Sequence, residues 1–122
     1  MLRTGIDLIE VERIQSSITR YGERFTRRVY THGELVYCAG RVTSLAARFA
    51  AKEAVSKLLG VGIQHQDGVD WREIEIISAS NGDPSLKLHG KAERRAKELG
   101  LKEIALSFSH THEHAIAFVV AT

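Results

Sequence analysis

Cysteine is almost missing from this chain, which contains only Cys38. An internal disulfide is therefore impossible, which excludes the small disulfide-stapled secreted proteins and favours a reducing cytoplasm. Residues 1–9 carry Arg3 and Asp7 and contain no long apolar core, so we expect no signal peptide. The longest apolar run, residues 115–121, is far too short to span a bilayer, so we expect no contact with a membrane.

A marked excess of one charge is also missing. The chain has 17 lysines and arginines against 15 aspartates and glutamates, a net charge of +2. This charge is too small to favour a nucleic-acid partner. The length of 122 residues predicts one domain, residues 1–122, and a composition with 43% hydrophobic and 26% charged residues is ordinary for a globular protein. A domain of this size has a modest core, which favours an oligomer.

The spacing of apolar residues predicts both strands and helices. We expect strands at 2–9, 71–78, 86–88, 104–109 and 115–121, and helices at 10–19, 33–39, 44–59 and 91–99. Thr31 and Ser44 are the expected N-caps of the second and third helices, and Asn81-Gly82-Asp83-Pro84 is a strong turn signal. This order predicts an α+β fold: a largely antiparallel sheet packed with helices, including one long central helix.

The last predicted strand, residues 115–121, is apolar at nearly every position. A strand that is apolar on both faces is usually covered on both faces. In a chain this short, a subunit interface is a natural source of the second cover.

Residues 48–54 (Arg-Phe-Ala-Ala-Lys-Glu-Ala) predict a helix with one carboxylate among several cations. Glu53 and Lys57 have the i, i+4 spacing, and so do the like charges Arg48 and Lys52, which would be stabilised by an anion between them. This pattern indicates a metal ion bound together with a phosphate-rich ligand. The ordinary alternative is a solvated Glu53–Lys57 pair worth about 0.3–0.5 kcal/mol.

Asp7 is the second candidate carboxylate, near the end of the first predicted strand and just before a helix. One interpretation is a structural cap of that helix. The other is a magnesium ligand, because Mg²⁺ commonly takes one or two protein carboxylates and fills its octahedron with waters and substrate phosphates. Asp7 together with Glu53 would meet that requirement.

Arginines are concentrated between residues 13 and 28, where Glu23 is the single acidic residue. The five arginines are Arg13, Arg20, Arg24, Arg27 and Arg28. Such a patch suits an acidic protein partner or a phosphate ligand. A solvated face that keeps the protein soluble explains it equally well, and a noncatalytic module that binds an acidic protein is an alternative function.

Three alternating histidines, His110, His112 and His114, lie between the last two predicted strands. In one extended strand they would point the same way and could bind zinc, which is a third possible function. However, the turn between the strands falls in this segment and would separate the three rings. His110, at the strand end, could instead bind a phosphate or carry a proton.

Several segments in order along the chain match one known family. They are Gly5-Ile6-Asp7-Leu8 with Val11-Glu12-Arg13-Ile14, Arg24-Phe25 with Thr31 and Glu34, residues 48–54 with Lys57, Asn81-Gly82 with Pro84, and Ser107-Phe108-Ser109-His110-Thr111. Together they resemble the holo-acyl-carrier-protein synthases, the small group of 4′-phosphopantetheinyl transferases. The chain departs from the family pattern in three places: Arg3-Thr4 precede Gly5 where the family often has another glycine, Asp83 stands where lysine is common, and Phe108 replaces a usual aliphatic residue.

The resemblance implies an activity, a fold and an assembly. The family transfers 4′-phosphopantetheine from coenzyme A to a serine of apo acyl carrier protein and releases adenosine 3′,5′-bisphosphate. Its product supports fatty acid biosynthesis. The resemblance also implies magnesium as cofactor and a homotrimer with active sites at the clefts between subunits.

The resemblance also implies roles for individual residues. Asp7 and Glu53 would bind Mg²⁺; Glu53, Lys57 and His110 would be catalytic, with the general base left open among Glu53, Asp7 and a metal-bound water. Coenzyme A would be bound by Arg48, Lys57 and His110. The carrier protein would dock on Arg13, Arg20 and Arg24.

Overall fold

The computed structural model describes residues 1–64 and 66–122, which form five strands and five α-helices. The strands are β1 (Arg3–Glu10), β2 (Ile74–Ser78), β3 (Pro84–Leu88), β4 (Ile104–His110) and β5 (His114–Ala121). The helices are α1 (Val11–Tyr21), α2 (Glu23–Val29), α3 (His32–Cys38), α4 (Val42–Leu59) and α5 (Gly90–Glu98), with a short 3₁₀ helix at Trp71–Glu73. The predicted α+β fold with one long central helix is confirmed.

The strands form two antiparallel sheets rather than one. The larger sheet has the order β1-β5-β4, and β2 and β3 form a separate hairpin across the predicted turn. In the larger sheet the register aligns Asp7 of β1 with Ala117 of β5 and Phe108 of β4. These three residues therefore lie in one row across the sheet.

Helix α4 packs closely on the larger sheet because both surfaces are built from small residues. Ala47, Ala51 and Ala54 of α4 are fully buried, and β5 presents alternate buried residues, mostly alanine, to the helix. Gly5 of β1 lies so near α4 that a Cβ added there would overlap the carbonyl oxygen of Ala54. This close packing fixes β1, and the residues it carries, against the middle of α4.

The opposite face of the larger sheet is apolar and exposed in the single chain. Ile6 and Leu8 of β1 are 54% and 62% exposed, and Ile116 and Phe118 of β5 are 40% and 44% exposed. The register places Ile6 beside Phe118 and Leu8 beside Ile116. Within one chain, then, the last strand is covered on one face, and its other face is part of this apolar surface.

Local predictions succeeded where caps and turns are strong. Thr31 caps α3 in a full capping box with Glu34, and Gly22 and Gly60 follow the ends of α1 and α4. Ser44 as a cap was wrong, because α4 begins at Val42 and continues through that serine. Residues 71–73 form a 3₁₀ turn, since the Asp70 side chain accepts a hydrogen bond from the Arg72 amide.

Helix α2 was not predicted, because its seven residues present too few apolar positions to show a helical period. Within residues 1–64 and 66–122, no helix combines the length and the apolar character needed to cross a membrane.

Candidate active site

Asp7 and Lys57 meet beside helix α4. The Lys57 Nζ lies 3.0 Å from Asp7 Oδ1 and also donates a 2.9 Å hydrogen bond to the carbonyl of Ile6. The lysine side chain is 54% exposed and the aspartate side chain 18%. Asp7 lies in the middle of β1, and Glu10 occupies the N-cap of α1, so the interpretation of Asp7 as a helix cap was wrong.

Glu53 belongs to the same cluster. Partial burial raises the pKa of the Glu53 carboxyl, and the nearby negative charge of Asp7 raises it further. The positive charges of Lys57 and Arg13 act in the opposite direction on that pKa. The cluster therefore contains Asp7, Glu53 and Lys57, three residues that were expected in the site.

The chemistry of this cluster suits a hard divalent cation. The charge of Asp7 raises the pKa of Glu53, and a cation between the two carboxylates would stabilise their charged forms. Mg²⁺ needs no more than one or two protein carboxylates. The three histidines do not come together: in the part of the chain that the structure describes, no group of three or more histidine, cysteine, aspartate or glutamate residues is placed to hold a metal ion.

Arg48 lies on the other flank of α4. It precedes Glu53 by five residues, which places the two about 140° apart around the helix axis. Its guanidinium is near Phe108 of β4 and donates a 2.8 Å hydrogen bond to Ser78 Oγ at the end of β2. The structure therefore does not bring Arg48 into the cluster of Asp7, Glu53 and Lys57.

The sequence predicted that Arg48 and Lys52 share a bound anion, and the contacts of Lys52 show that this prediction was wrong. The Lys52 side chain is completely buried and forms a 2.9 Å ion pair with Glu34, which is equally buried. Lys52 also donates to the carbonyls of Trp71 and Ile74, at 3.0 and 2.6 Å. The anion that Lys52 binds is thus a carboxylate of the same chain.

Glu34 has several structural contacts, of which the sequence predicted only the capping box. Its Oε1 accepts a hydrogen bond from the Thr31 amide, as the capping box predicts, while its Oε2 accepts one from the Ile76 amide. The same carboxylate also binds Lys52. The signal S/T-x-x-E identified the cap, but no local pattern identifies the lysine or the strand that complete the network.

His110 lies at the end of β4, exposed and opposite Ala115 of β5. It shares a face of β4 with Phe108, two residues earlier, and Phe108 contacts Arg48. His110 and Arg48 therefore belong to the β4 flank of α4, while Asp7, Glu53 and Lys57 belong to its β1 flank. The expected site residues form two groups within one chain, separated by the central helix.

The expected docking arginines are exposed on α1 and α2. Arg20 lies over the ring of its neighbour Tyr21, with the guanidinium carbon 5.3 Å from the ring centroid. Arg24 lines a surface pocket of about 380 Å³ with Tyr21, Phe25 and Arg28. Arg13 differs from the other two because its positive charge lowers the pKa of Glu53.

The family assignment follows from comparison with known proteins. Residues 3–119 match the family model of the 4′-phosphopantetheinyl transferase superfamily. The chain belongs to this superfamily. The resemblance drawn from the sequence is confirmed, and with it the prediction of a phosphopantetheinyl transferase of the holo-[acyl-carrier-protein] synthase type.

Curated relatives and solved structures agree with this assignment. A holo-[acyl-carrier-protein] synthase of Herpetosiphon aurantiacus is 51% identical over 98% of both chains, and one of Solibacter usitatus is 49% identical over 96% of this chain and 94% of its own. The crystal structure of the Helicobacter pylori holo-[acyl-carrier-protein] synthase in complex with coenzyme A has a TM-score of 0.87 at 30% identity, covering 98% of this chain and 99% of that one. The Neisseria meningitidis enzyme has a TM-score of 0.86 at 32% identity, covering 98% and 97%.

Proposed function

We propose that this phosphopantetheinyl transferase moves 4′-phosphopantetheine from coenzyme A to a serine of apo acyl carrier protein, in a magnesium-dependent reaction that releases adenosine 3′,5′-bisphosphate and supports fatty acid biosynthesis. The observation that carries the proposal is the cluster of Asp7, Glu53 and Lys57, three residues from distant parts of the chain. The relative from Helicobacter pylori was crystallised with coenzyme A, which supports the same co-substrate here.

Asp7 and Glu53 would hold Mg²⁺, which when bound supplies positive charge against the diphosphate of coenzyme A. In the transfer, the serine oxygen of the carrier protein attacks the phosphorus of the phosphopantetheinyl group. The bond to the leaving adenosine 3′,5′-bisphosphate breaks, and the serine proton must be accepted. A carboxylate of the cluster or a water molecule held there accepts that proton, and Lys57 offers an ammonium to the negative charge on the leaving phosphate.

The separation of the site residues supports an assembly. Asp7, Glu53 and Lys57 lie on one flank of α4, whereas Arg48 and His110 lie on the other. A coenzyme A molecule bound at a cleft between two copies would meet one group from each copy. The exposed apolar face of Ile6, Leu8, Ile116 and Phe118 is a suitable surface for that contact, and we propose a homotrimer built on it.

The carrier protein would dock through its acidic surface on Arg13, Arg20 and Arg24 of α1 and α2, which are exposed. The effect of the Arg13 charge on the pKa of Glu53 supports a docking surface that reaches the proposed catalytic cluster. We place the reaction in the cytoplasm, because the single cysteine, Cys38, is a buried free thiol. The modest net charge favours neither nucleic acid nor a membrane surface as partner.

The deciding experiment weighs the carrier protein. The enzyme is incubated with coenzyme A, Mg²⁺ and apo acyl carrier protein, and mass spectrometry then measures the carrier protein. We expect a gain of one phosphopantetheine, and none when the acceptor serine is replaced by alanine or when Mg²⁺ is chelated. Binding of the carrier protein without any gain in mass would contradict the proposal and favour a noncatalytic module.

The proposed assembly has its own test. Sedimentation equilibrium of the purified protein should give three times the chain mass. The variant Phe118→Lys should dissociate, because it places a charge in the apolar face. A parent protein that sediments as a monomer at assay concentration and is still active would contradict the shared-site model.

A further inference from the structure

Arg48 is a buried cation that no anion accompanies. It is 4% exposed, yet none of the ion pairs formed by residues 1–64 and 66–122 includes it. Lys52, one helical turn later and completely buried, shows the usual arrangement, with the Glu34 carboxylate at 2.9 Å. Because a buried charge without an opposite charge is costly, Arg48 must be stabilised in another way.

Two aromatic rings provide this stabilisation. The guanidinium carbon of Arg48 lies 4.8 Å from the ring centroid of Tyr37 and 5.0 Å from that of Phe108. A cation held against aromatic faces is attracted by the ring electrons, most strongly where water is excluded. We call Tyr37 and Phe108 the aromatic clamp; the first belongs to α3 and the second to β4.

Neutral acceptors fix the orientation of the guanidinium within the aromatic clamp. Nη1 donates a 3.1 Å hydrogen bond to the carbonyl of Ser44, and Nη2 donates a 2.8 Å bond to Ser78 Oγ. Nε is buried and has no acceptor among the described residues. Rings, a hydroxyl and a carbonyl hold the group in place, but none of them cancels its charge.

A second cation lies on the same ring. The guanidinium carbon of Arg41 is 5.6 Å from the Tyr37 ring centroid, and its Nη2 donates a 2.7 Å hydrogen bond to the Tyr37 carbonyl. Tyr37 therefore gathers two guanidinium groups at one place. Two cations gathered in this way create a positive potential that favours an anionic ligand.

We propose that Tyr37 and Phe108 are positioning residues, which hold the Arg48 guanidinium in place at full charge for a phosphate group of coenzyme A. This inference rests on the proposed function, which gives Arg48 that ligand. A carboxylate in place of the rings would orient Arg48 equally well but would cancel its positive charge. The aromatic clamp orients the guanidinium and leaves that charge available to a phosphate. The clamp residues act through Arg48 and not on the reacting atoms.

The test measures coenzyme A binding to the assembled enzyme with Mg²⁺ by calorimetry, together with KM and kcat. The variants are Tyr37→Leu, Phe108→Leu and both together, each made in the parent and in an Arg48→Met background. We expect the double clamp variant to lose affinity for coenzyme A by about tenfold. The KM for coenzyme A should rise equally, while kcat and the KM for the carrier protein change by less than about twofold.

Three comparisons separate this role from a purely structural one. Tyr37→Phe keeps the ring and should restore the affinity that Tyr37→Leu loses. In the Arg48→Met background the clamp substitutions should have no further effect on coenzyme A affinity, because the group they position is gone. Tyr37 is partly exposed at 38%, so Tyr37→Leu remains a folded test even if Phe108→Leu does not fold.

Binding of 3′-dephospho-coenzyme A identifies the phosphate concerned. A clamp effect that disappears with this ligand assigns Arg48 to the 3′-phosphate, and one that persists assigns it to the diphosphate; both results support the proposal. Parent affinity in the clamp variants, or an equal loss with Arg48→Met already in place, overturns it. Failure of the parent enzyme to modify the carrier protein is a separate result, which rejects the proposed function itself.

Discussion

Lys57 of helix α4 lies 3.0 Å from the carboxylate of Asp7, a residue 50 positions earlier in strand β1. The contact exists because Gly5 lets β1 approach the backbone of α4 at Ala54, one turn before Lys57. Glu53 lies close enough to this pair for both charges to act on its pKa. The absence of a side chain at Gly5 thus lets β1 and α4 approach closely enough to form the proposed catalytic cluster.

The two carboxylates should be required for activity but not for folding. We expect Asp7→Asn and Glu53→Gln each to lower the transfer rate by at least about a hundredfold, since an amide binds Mg²⁺ poorly. Stability should change by no more than about 1 kcal/mol, because Asp7 and the exposed Lys57 form a partly solvated pair. Transfer is measured by mass spectrometry and stability by urea denaturation.

The Glu93–Lys97 pair of α5 is the matched control for this prediction, with a nitrogen–oxygen distance of 3.2 Å on an exposed helix surface. Glu93→Gln should leave the transfer rate unchanged. Near-normal turnover of Asp7→Asn or Glu53→Gln at saturating Mg²⁺ would defeat the assignment of these residues.

Gly5→Ala should disturb the cluster through the backbone. Its new Cβ would overlap the Ala54 carbonyl, which cannot move without shifting α4, so we expect a loss of about 1–3 kcal/mol in the free energy of unfolding and a fall in kcat. Gly33→Ala is the matched control, because a Cβ there meets only ordinary contacts and the position is helical. That control should be neutral or stabilising, by up to about 1 kcal/mol. Equal unfolding midpoints for the parent and Gly5→Ala would show that β1 is free to move away from α4.

The buried Glu34–Lys52 pair should be asymmetric under mutation. Lys52→Met leaves the Glu34 carboxylate buried without its cation, and we expect a loss of about 3–5 kcal/mol. Adding Glu34→Gln keeps the capping-box acceptor while removing the charge, so the double variant should be more stable than Lys52→Met alone. Urea denaturation of both variants measures the difference. A double variant that is no more stable than the single one would show that the carboxylate does not need its ammonium partner.

Glu75 should contribute a pH-dependent part of the stability. Burial by itself raises the pKa of Glu75, but hydrogen bonds with His89 and Thr31 and the charges of His89 and Lys52 together outweigh it, and the pKa is lowered overall. A carboxylate whose pKa is lower in the folded state stabilises that state above its unfolded pKa, and this contribution is lost as pH falls through the folded pKa. The parent should therefore exceed Glu75→Gln in unfolding free energy at pH 7, and the difference should shrink as the pH drops below about 4.3.

Urea denaturation of both proteins between pH 7 and pH 3 measures this trend, with Glu103→Gln as a control on an exposed carboxylate. A gap between parent and Glu75→Gln that stays constant over the whole range would contradict the assigned pKa direction.

Charge reversal on α2 should separate carrier-protein docking from coenzyme A binding. Arg24→Glu should raise the KM for the acyl carrier protein by about tenfold or more and leave the KM for coenzyme A nearly unchanged, because on the proposed docking surface this arginine would face an acidic partner. Arg27→Glu makes the same charge change three residues later, at an arginine that is already paired with Glu23 at 3.3 Å. It should have the smaller effect. Similar carrier-protein KM values for Arg24→Glu and the parent would reject this docking surface.

Arg13 is the poorer choice for that experiment. Its charge acts on the pKa of Glu53, so Arg13→Glu changes the proposed catalytic cluster as well as the docking surface. This distinction between Arg13 and Arg24 was invisible in the sequence, where both belong to the same run of arginines.

Several local features, a cap, helix ends and a turn, were predicted correctly, because a few neighbouring residues determine them. The capping box of Thr31 and Glu34, the helix end at Gly60 and the β2–β3 turn at Asn81-Gly82 were all predicted and are all present. Helix α2 was missed because its short basic segment lacks an apolar period. A single sheet was predicted, but the β2–β3 hairpin forms a sheet of its own.

The sequence by itself determined the family, the alternation of helices and strands, and the identity of the side chains that carry the proposed chemistry. Only the tertiary structure decided which charges meet: Lys57 binds Asp7, Lys52 binds Glu34, and Arg48 lies against Tyr37 and Phe108. The physical reason is that caps and turns depend on backbone geometry within a few residues. Ion pairs across a fold depend on strand register and on how closely α4 packs against β1, which no local pattern encodes.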